Sequence, residues 1–211
     1  DIKEQTIVEL TGSCAFCPEN IDKKNIVDKI GNEKDWQVLS IKNIFPAVTL
    51  KNKKAYGAQE VIIETPDHAK ELAQLPEEHV EQLLRMYARR TAAIAQNKNI
   101  DYILCFKNQG SKAGASIVHA HSQVFATHIL PPDIREESAA AKNYQTETGT
   151  CPYCDIIKKE SKSKRKIFED KNILALAPYA SQYHYETWIF TKRHLDNITK
   201  LNSDEFKSFA R

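Results

Sequence analysis

Gly110-Ser-Lys-Ala-Gly-Ala-Ser-Ile-Val-His-Ala-His-Ser-Gln123 carries most of the information in this chain. His119, His121 and Gln123 alternate with Ala120 and Ser122, and residues two apart on a β-strand face the same side. Two imidazoles and an amide therefore share one surface, directly after a Gly/Ser/Lys loop. The backbone from Gly110 to Gly114, with Lys112 and Ser116, suits the charge of a phosphate group. An imidazole attacks phosphorus when it is neutral, with one ring nitrogen bare and the other held by an acceptor. That role falls to His121, with a carbonyl of its own strand as the acceptor. Gln123 offers an amide donor to a phosphoryl oxygen.

Five cysteines lie at Cys14, Cys17, Cys105, Cys151 and Cys154, and four of them form two Cys-x-x-Cys pairs. No signal-peptide pattern opens the chain, so metal binding in a cytoplasmic setting is expected rather than a disulfide framework. Zinc favours four tetrahedral nitrogen or sulfur ligands. Cys14 and Cys17 supply two, and His68 and His119 are the natural completions. An all-cysteine site joining both pairs, or a redox pair without metal, are the alternatives. Cys105, in an apolar run, reads as a buried inert thiol.

The two halves repeat. Glu60-Val-Ile-Ile-Glu-Thr-Pro-Asp-His68 matches Glu186-Thr-Trp-Ile-Phe-Thr-Lys-Arg-His194, and an acidic helix start follows each. Cys14-Ala-Phe-Cys17 mirrors Cys151-Pro-Tyr-Cys154. Cys151, Cys154 and His194 are thus candidates for a second metal site. Its fourth ligand would be His184 or a histidine beyond this chain, and iron is an alternative ion there. Patterning gives strands at 36–41 and 60–64, a helix over 76–96 striped by Val80, Leu83, Leu84, Tyr87 and Ala88, and paired strands at 101–106 and 116–126. That order is antiparallel α+β. Residues 1–132 form a first unit carrying the nucleophile, 133–149 a polar connector, and 150–211 a second unit. The second has a charged loop at 158–166, strands at 173–177 and 186–191, and a helix from 204. The spacing from His68 to His119, laid off from His194, passes residue 211, so the second repeat is expected to be incomplete.

The 211 residues are 41% hydrophobic and 27% charged, with 30 basic against 28 acidic side chains and a net charge of +2. No basic excess marks a nucleic-acid binder. No apolar run approaches the roughly 18–20 residues that span a bilayer.

The stretch Gly114-Ala-Ser-x-x-His-Ala-His-Ser-Gln123 resembles the active-site strand of the histidine-triad (HIT) superfamily. More narrowly it is similar to the galactose-1-phosphate uridylyltransferase branch, with its Gly-x-Ser-x-x-His-Pro-His-x-Gln signature and two histidine-triad units per chain. Asn43-Ile-Phe-Pro-Ala47, Glu64-Thr-Pro-Asp-His68 and Phe106-Lys-Asn-x-Gly110 add to the likeness. The resemblance implies a HIT-like antiparallel sheet with packed helices. It implies His121 as the nucleotidylated residue and Cys14, Cys17, His68 and His119 as zinc ligands. It further implies Asn43, Phe45, Asn108, Ser116 and Gln123 as nucleotide or phosphate contacts, and a homodimer acting on a nucleotide sugar and a sugar phosphate. The expected reaction moves a nucleoside monophosphate, UMP in the parent branch, between a nucleotide sugar and a hexose 1-phosphate. Ala120 stands where the signature has Pro. The second cysteine pair looks more like branch members that act as ADP-sugar or dinucleotide phosphorylases. A hydrolase is a further alternative, and a zinc-stabilised binding module without catalysis is an alternative of another class.

Overall fold

The computed structural model describes residues 14–32 and 35–211. It divides into two units, one ending at Ile129 and one spanning Leu130–Arg211. Five strands build the sheet of the first: β1 (Ile26–Gly31), β2 (Trp36–Lys42), β3 (Gly57–Ile63), β4 (Tyr102–Phe106) and β5 (His121–Thr127). All neighbours are antiparallel, in the order β1-β2-β3-β5-β4. The α+β class and the antiparallel sheet are as the sequence indicates.

Strand alternation divides the core between two faces. On the back, Val38, Ile62 and Val124 pack against Leu83 and Met86 of α1 (Glu77–Ile94). On the front, Leu39, Val61 and Ile63 pack against Cys14, Phe16 and Cys17. Helix α1 starts where Pro76 holds extended backbone, and Glu77 and Glu78 sit in its first turn, next to the positive end of the dipole. Its stripe is turned slightly from the one read in sequence. Leu83 and Met86 are the fully buried pair, while Leu84 is half-buried. A flexible thioether fills the space above Ile62 and Val124.

A buried ion pair ties α1 to the sheet. Glu60 on β3 receives Arg90 through Nε at 2.7 Å and a terminal nitrogen at 2.8 Å, and Ser40 Oγ at 2.9 Å. Two forked hydrogen bonds and a hydroxyl satisfy a carboxylate that is only 8% exposed.

The second unit holds α2 (Pro132–Thr148), α3 (Pro152–Glu160), β6 (Lys166–Glu169), β7 (Ile173–Leu176), β8 (Trp188–Thr191) and α4 (Ser203–Phe209). Its sheet runs β6-β7-β8, with β7 buried along its length. The stretch read as a connector is helix α2: Pro132 stands at its first position, where a missing N–H costs nothing, and Gly149 closes it at φ 76°. The charged stretch at 158–166 ends α3 and begins β6. Glu160 is buried there because Arg165 and Ser163 satisfy its carboxylate. Both units share one order: three antiparallel strands, a 3-10 turn (Leu72–Gln74 and Ile198–Lys200), then a helix. Among the described residues no helix is long and apolar enough to cross a membrane.

Arg90→Met strands the Glu60 charge under α1. Urea unfolding is expected to show a loss of about 3–5 kcal/mol, the cost of breaking a buried pair from one side. A loss below about 1 kcal/mol would show that the pair does not hold the helix.

Candidate functional site

Cys14, Cys17, His68 and His119 converge, with their four ligand atoms all within 4.8 Å of one another. The Cys14–Cys17 turn closes through Cys17 N to the Cys14 carbonyl at 3.2 Å, and the Phe16 amide points at Cys14 Sγ at 3.4 Å. Turns at Thr65 and Asp67 deliver His68, whose Nδ1 lies 3.4 Å from Cys17 Sγ. His119 comes from the far side, with Nδ1 3.8 Å from each sulfur. Its Nε2 lies 2.8 Å from the Thr65 carbonyl. A carbonyl only accepts, so Nε2 carries the proton and Nδ1 offers its lone pair to the group. Burial holds the His119 imidazole below its ordinary range, against the pull of the Thr65 bond, with His68 and His121 adding to the drop. The neutral form that a ligand requires is thereby favoured.

Zinc bonds of about 2.3 Å to sulfur and 2.0 Å to nitrogen in a tetrahedron place ligand atoms about 3.3–3.8 Å apart. The Cys17–His68, Cys14–His119 and Cys17–His119 separations fit that span, and the two thiols and two imidazoles are the donors such an ion takes. The group could therefore hold a metal ion.

His121 stands outside this group. It opens β5 opposite Ile63, half-buried, with the Phe16 ring edge-on at 5.1 Å between centroids. Its Nδ1 lies 2.8 Å from the carbonyl of His119. The same logic puts the proton on Nδ1 and leaves Nε2 bare. Gln123 follows on the same face, opposite Val61, and its Oε1 accepts from Gln59 Nε2 at 2.7 Å.

The strand expected at 116–126 needs a correction. β5 begins at His121, not at 116, and residues 116–120 lie outside the ladder. The cause is local. Gly110 and Gly114 take φ of 78° and 87° around a 3-10 turn (Ser111–Ala113), and Thr65 gives its carbonyl to the His119 ring. The amides of Ala113, Gly114 and Ala115 turn inward to the carbonyls of Gly110 and Ser111. Fewer backbone donors than expected thus face outward. Lys112, Gly114 and Ser116 lie exposed on this loop, as does Asn108 at its start. On the loop after β2, the Asn43 side chain accepts from the Phe45 amide at 2.9 Å, and Phe45 is 86% exposed.

The back of β5 is braced by residues to which the sequence pattern assigns no such role. Lys107 Nζ meets the fully buried Glu64 carboxylate at 2.8 Å and lies 3.5 Å from the His121 carbonyl. Tyr87 donates to Ser122 Oγ at 2.7 Å. Burial, then the nearby Glu64 charge, raises the Tyr87 phenol, which keeps it protonated as a donor. Gln59 also went unread, although Gln59 and Val61 alternate on one face of β3.

In the second unit Cys151, Cys154 and His194 form a three-membered group, with Cys154 Sγ 3.1 Å from His194 Nδ1. His184 is not among its members. The group borders a cavity of about 610 Å³ lined in part by Glu137, Tyr153, Phe190 and Arg193.

Residues 13–131 match the family model described as galactose-1-phosphate uridyl transferase, N-terminal domain. The chain belongs to that family. Among curated relatives, the galactose-1-phosphate uridylyltransferase of Thermotoga maritima is 30% identical over 204 residues, covering 94% of this chain and 63% of the relative. The ADP-glucose phosphorylase of Arabidopsis thaliana is 31% identical over 207 residues, covering 90% and 58%. A crystal structure of an Arabidopsis thaliana ADP-glucose phosphorylase with bound ADP-glucose superposes with TM-score 0.85 at 28% identity, over 94% of this chain and 65% of that one. A uridylyltransferase structure gives 0.82 at 29% identity, over 96% and 66%. The chain thus spans less than two thirds of the length of these curated relatives.

Cys17→Ser removes one donor from the four-membered group. Elemental analysis of the purified full-length protein should find about one metal ion fewer per chain than in wild type, and thermal unfolding should come at a lower temperature. Metal content equal to wild type would mean that this group holds no ion.

Proposed function

We propose that the protein is a nucleotidylyltransferase working through a covalent nucleotidyl-histidine at His121. The observation that carries this reading is the His121 ring, with Nδ1–H held by the His119 carbonyl and Nε2 left bare. Family membership supports it. So does the likeness to relatives named for transfer from, or phosphorolysis of, nucleotide sugars.

The Nε2 lone pair attacks the α-phosphorus of a nucleoside diphosphate sugar. The bond to the bridging oxygen breaks, and the sugar 1-phosphate leaves with that electron pair. The new P–N bond makes the ring cationic, and its remaining proton stays on Nδ1, bonded to the His119 carbonyl. A phosphate oxygen of the acceptor then attacks phosphorus, the P–N bond breaks, and neutral His121 returns. Gln123 donates to a phosphoryl oxygen as charge shifts in each step. The side chains of Ser116 and Lys112, rather than the inward-turned amides at 113–115, hold the remaining phosphate charge, with Asn108 beside them. Asn43 and Phe45 contact the nucleoside. The work asked of the protein is placement and charge stabilisation.

Zinc, bound by Cys14, Cys17, His68 and His119, supplies a structural cross-link and no chemistry at phosphorus. Cys151, Cys154 and His194 hold a second ion. The family likeness carries the UMP donor, the homodimer and the cytoplasmic setting. A second reading, ADP-sugar phosphorylase, is favoured by the second cysteine group and by the likeness to the Arabidopsis thaliana enzyme.

Full-length protein given α-labelled UDP-glucose or ADP-glucose should retain label after denaturation. His121→Gly should retain none and lose at least about 10³-fold in turnover. Galactose 1-phosphate as acceptor identifies the transferase, and inorganic phosphate the phosphorylase. Wild-type turnover with no label ever held by the protein would exclude the covalent route.

A further inference from the structure

We propose that Gln59 is a positioning residue for Gln123, fixing which end of the Gln123 carboxamide meets the phosphate. The proposal deepens the nucleotidyl-transfer reading and rests on it. Carboxamide orientation is normally assigned from the surrounding hydrogen bonds. Here one donor of certain identity starts the chain. The Ala47 amide can only donate, and it lies 2.8 Å from the Gln59 side chain, so the atom it meets is Oε1. Nε2 of Gln59 is then the end that faces Gln123, at 2.7 Å. That group can only donate, so the Gln123 atom opposite is Oε1. Nε2 of Gln123 is left turned away from Gln59, as a donor, on the face that His121 shares.

Gln59 is fixed at its main chain too, because its carbonyl accepts from the Asn43 amide at 3.2 Å. It therefore links two parts of the site. One is the loop from Asn43 to Ala47, which carries the exposed Phe45. The other is the strand that carries Gln123 and His121. Without this link the Gln123 carboxamide is free to turn over and present oxygen to a phosphoryl oxygen, acceptor against acceptor. Losing a preorganised donor of this kind costs about 10²-fold in rate.

Gln59→Glu tests the idea in the full-length protein. The carboxylate keeps the side-chain length and still accepts from Ala47, but it cannot donate to Gln123. The Gln123 amide must then reverse. The rate of His121 labelling by the α-labelled nucleotide sugar should fall about 10- to 100-fold, with KM changed less than about threefold. In a Gln123→Ala background the same substitution should cost less than about threefold, because residues acting through one another are not additive. A general packing defect would cost as much in both backgrounds. A readout without catalysis is the affinity ratio of nucleoside monophosphate to nucleoside, measured by calorimetry, which should drop in Gln59→Glu. If wild type carries no label yet Gln59→Glu still shows this phosphate-dependent drop relative to wild type, the covalent route fails and the role of Gln59 stands. If wild type labels normally and Gln59→Glu labels at the same rate, or loses equally in both backgrounds, the role of Gln59 is overturned. A wild type that binds no nucleotide overturns both.

Discussion

His119 uses both of its ends. Its ring donates from Nε2 to the Thr65 carbonyl and turns Nδ1 toward two cysteines, while its own carbonyl accepts from His121 Nδ1. The first bond selects the tautomer that can ligate an ion, and the second selects the tautomer that leaves His121 Nε2 bare. One buried residue thereby sets the protonation of two imidazoles. Displacing the Thr65 carbonyl would loosen both, because the main chain of His119 follows its ring. The Cys14, Cys17 and His68 donors are in this way linked to His121 through one residue.

The described sheet and α1 of the first unit pack around this arrangement. β5 turns Ser122, Val124 and Ala126 to the buried back and His121, Gln123 and Phe125 to the front. The back is closed by apolar packing on α1 and by polar groups that satisfy one another: Tyr87 with Ser122, Lys107 with Glu64, and Arg90 with Glu60. Such pairs add little net stability, but each is costly to break from one side. Their value here is positional. They hold the register Ile63–His121 and Val61–Gln123, which sets His121 beside Phe16 and places Gln59 within reach of Gln123.

How much of this the sequence disclosed depended on how local the cause was. The convergence of Cys14, Cys17, His68 and His119 was readable because two thiols and two imidazoles are a donor set that suits one ion, whatever the path of the chain. His121 was readable by its spacing from His119. The inward-turned amides of the 113–115 loop were not, because they follow from two left-handed glycines acting together. Helix α2 was hidden because its residues are polar and read as a connector, whereas proline at its first position is a helix start. Strand β6 and the end of α3 were masked by charge, since nothing in a string of Lys and Ser tells that Arg165 will neutralise Glu160. Gln59 needed strand register, which no pattern along one strand reveals.

The two readings of the activity are closer than their names suggest. On the proposed route, transferase and phosphorylase share the first half-reaction: the same attack by His121, the same bridging bond broken, the same leaving sugar phosphate. They share the second in kind as well, because the acceptor atom is a phosphate oxygen in both. In that step what is attached to the phosphate differs, a hexose in one and nothing in the other, and the base carried differs too, uracil in the transferase reading and adenine in the ADP-sugar phosphorylase reading. The residues gathered on β3, β5 and the Asn43 loop are proposed to face the nucleotide and the reacting phosphorus, and the reaction at that phosphorus is common to both. They can therefore be right in every role assigned here while the acceptor is decided by other contacts. Specificity for the acceptor is then a matter of whether a hexose is given hydrogen-bond partners or denied room, and a site built to pair buried polar groups with sugar hydroxyls would reject bare phosphate strongly.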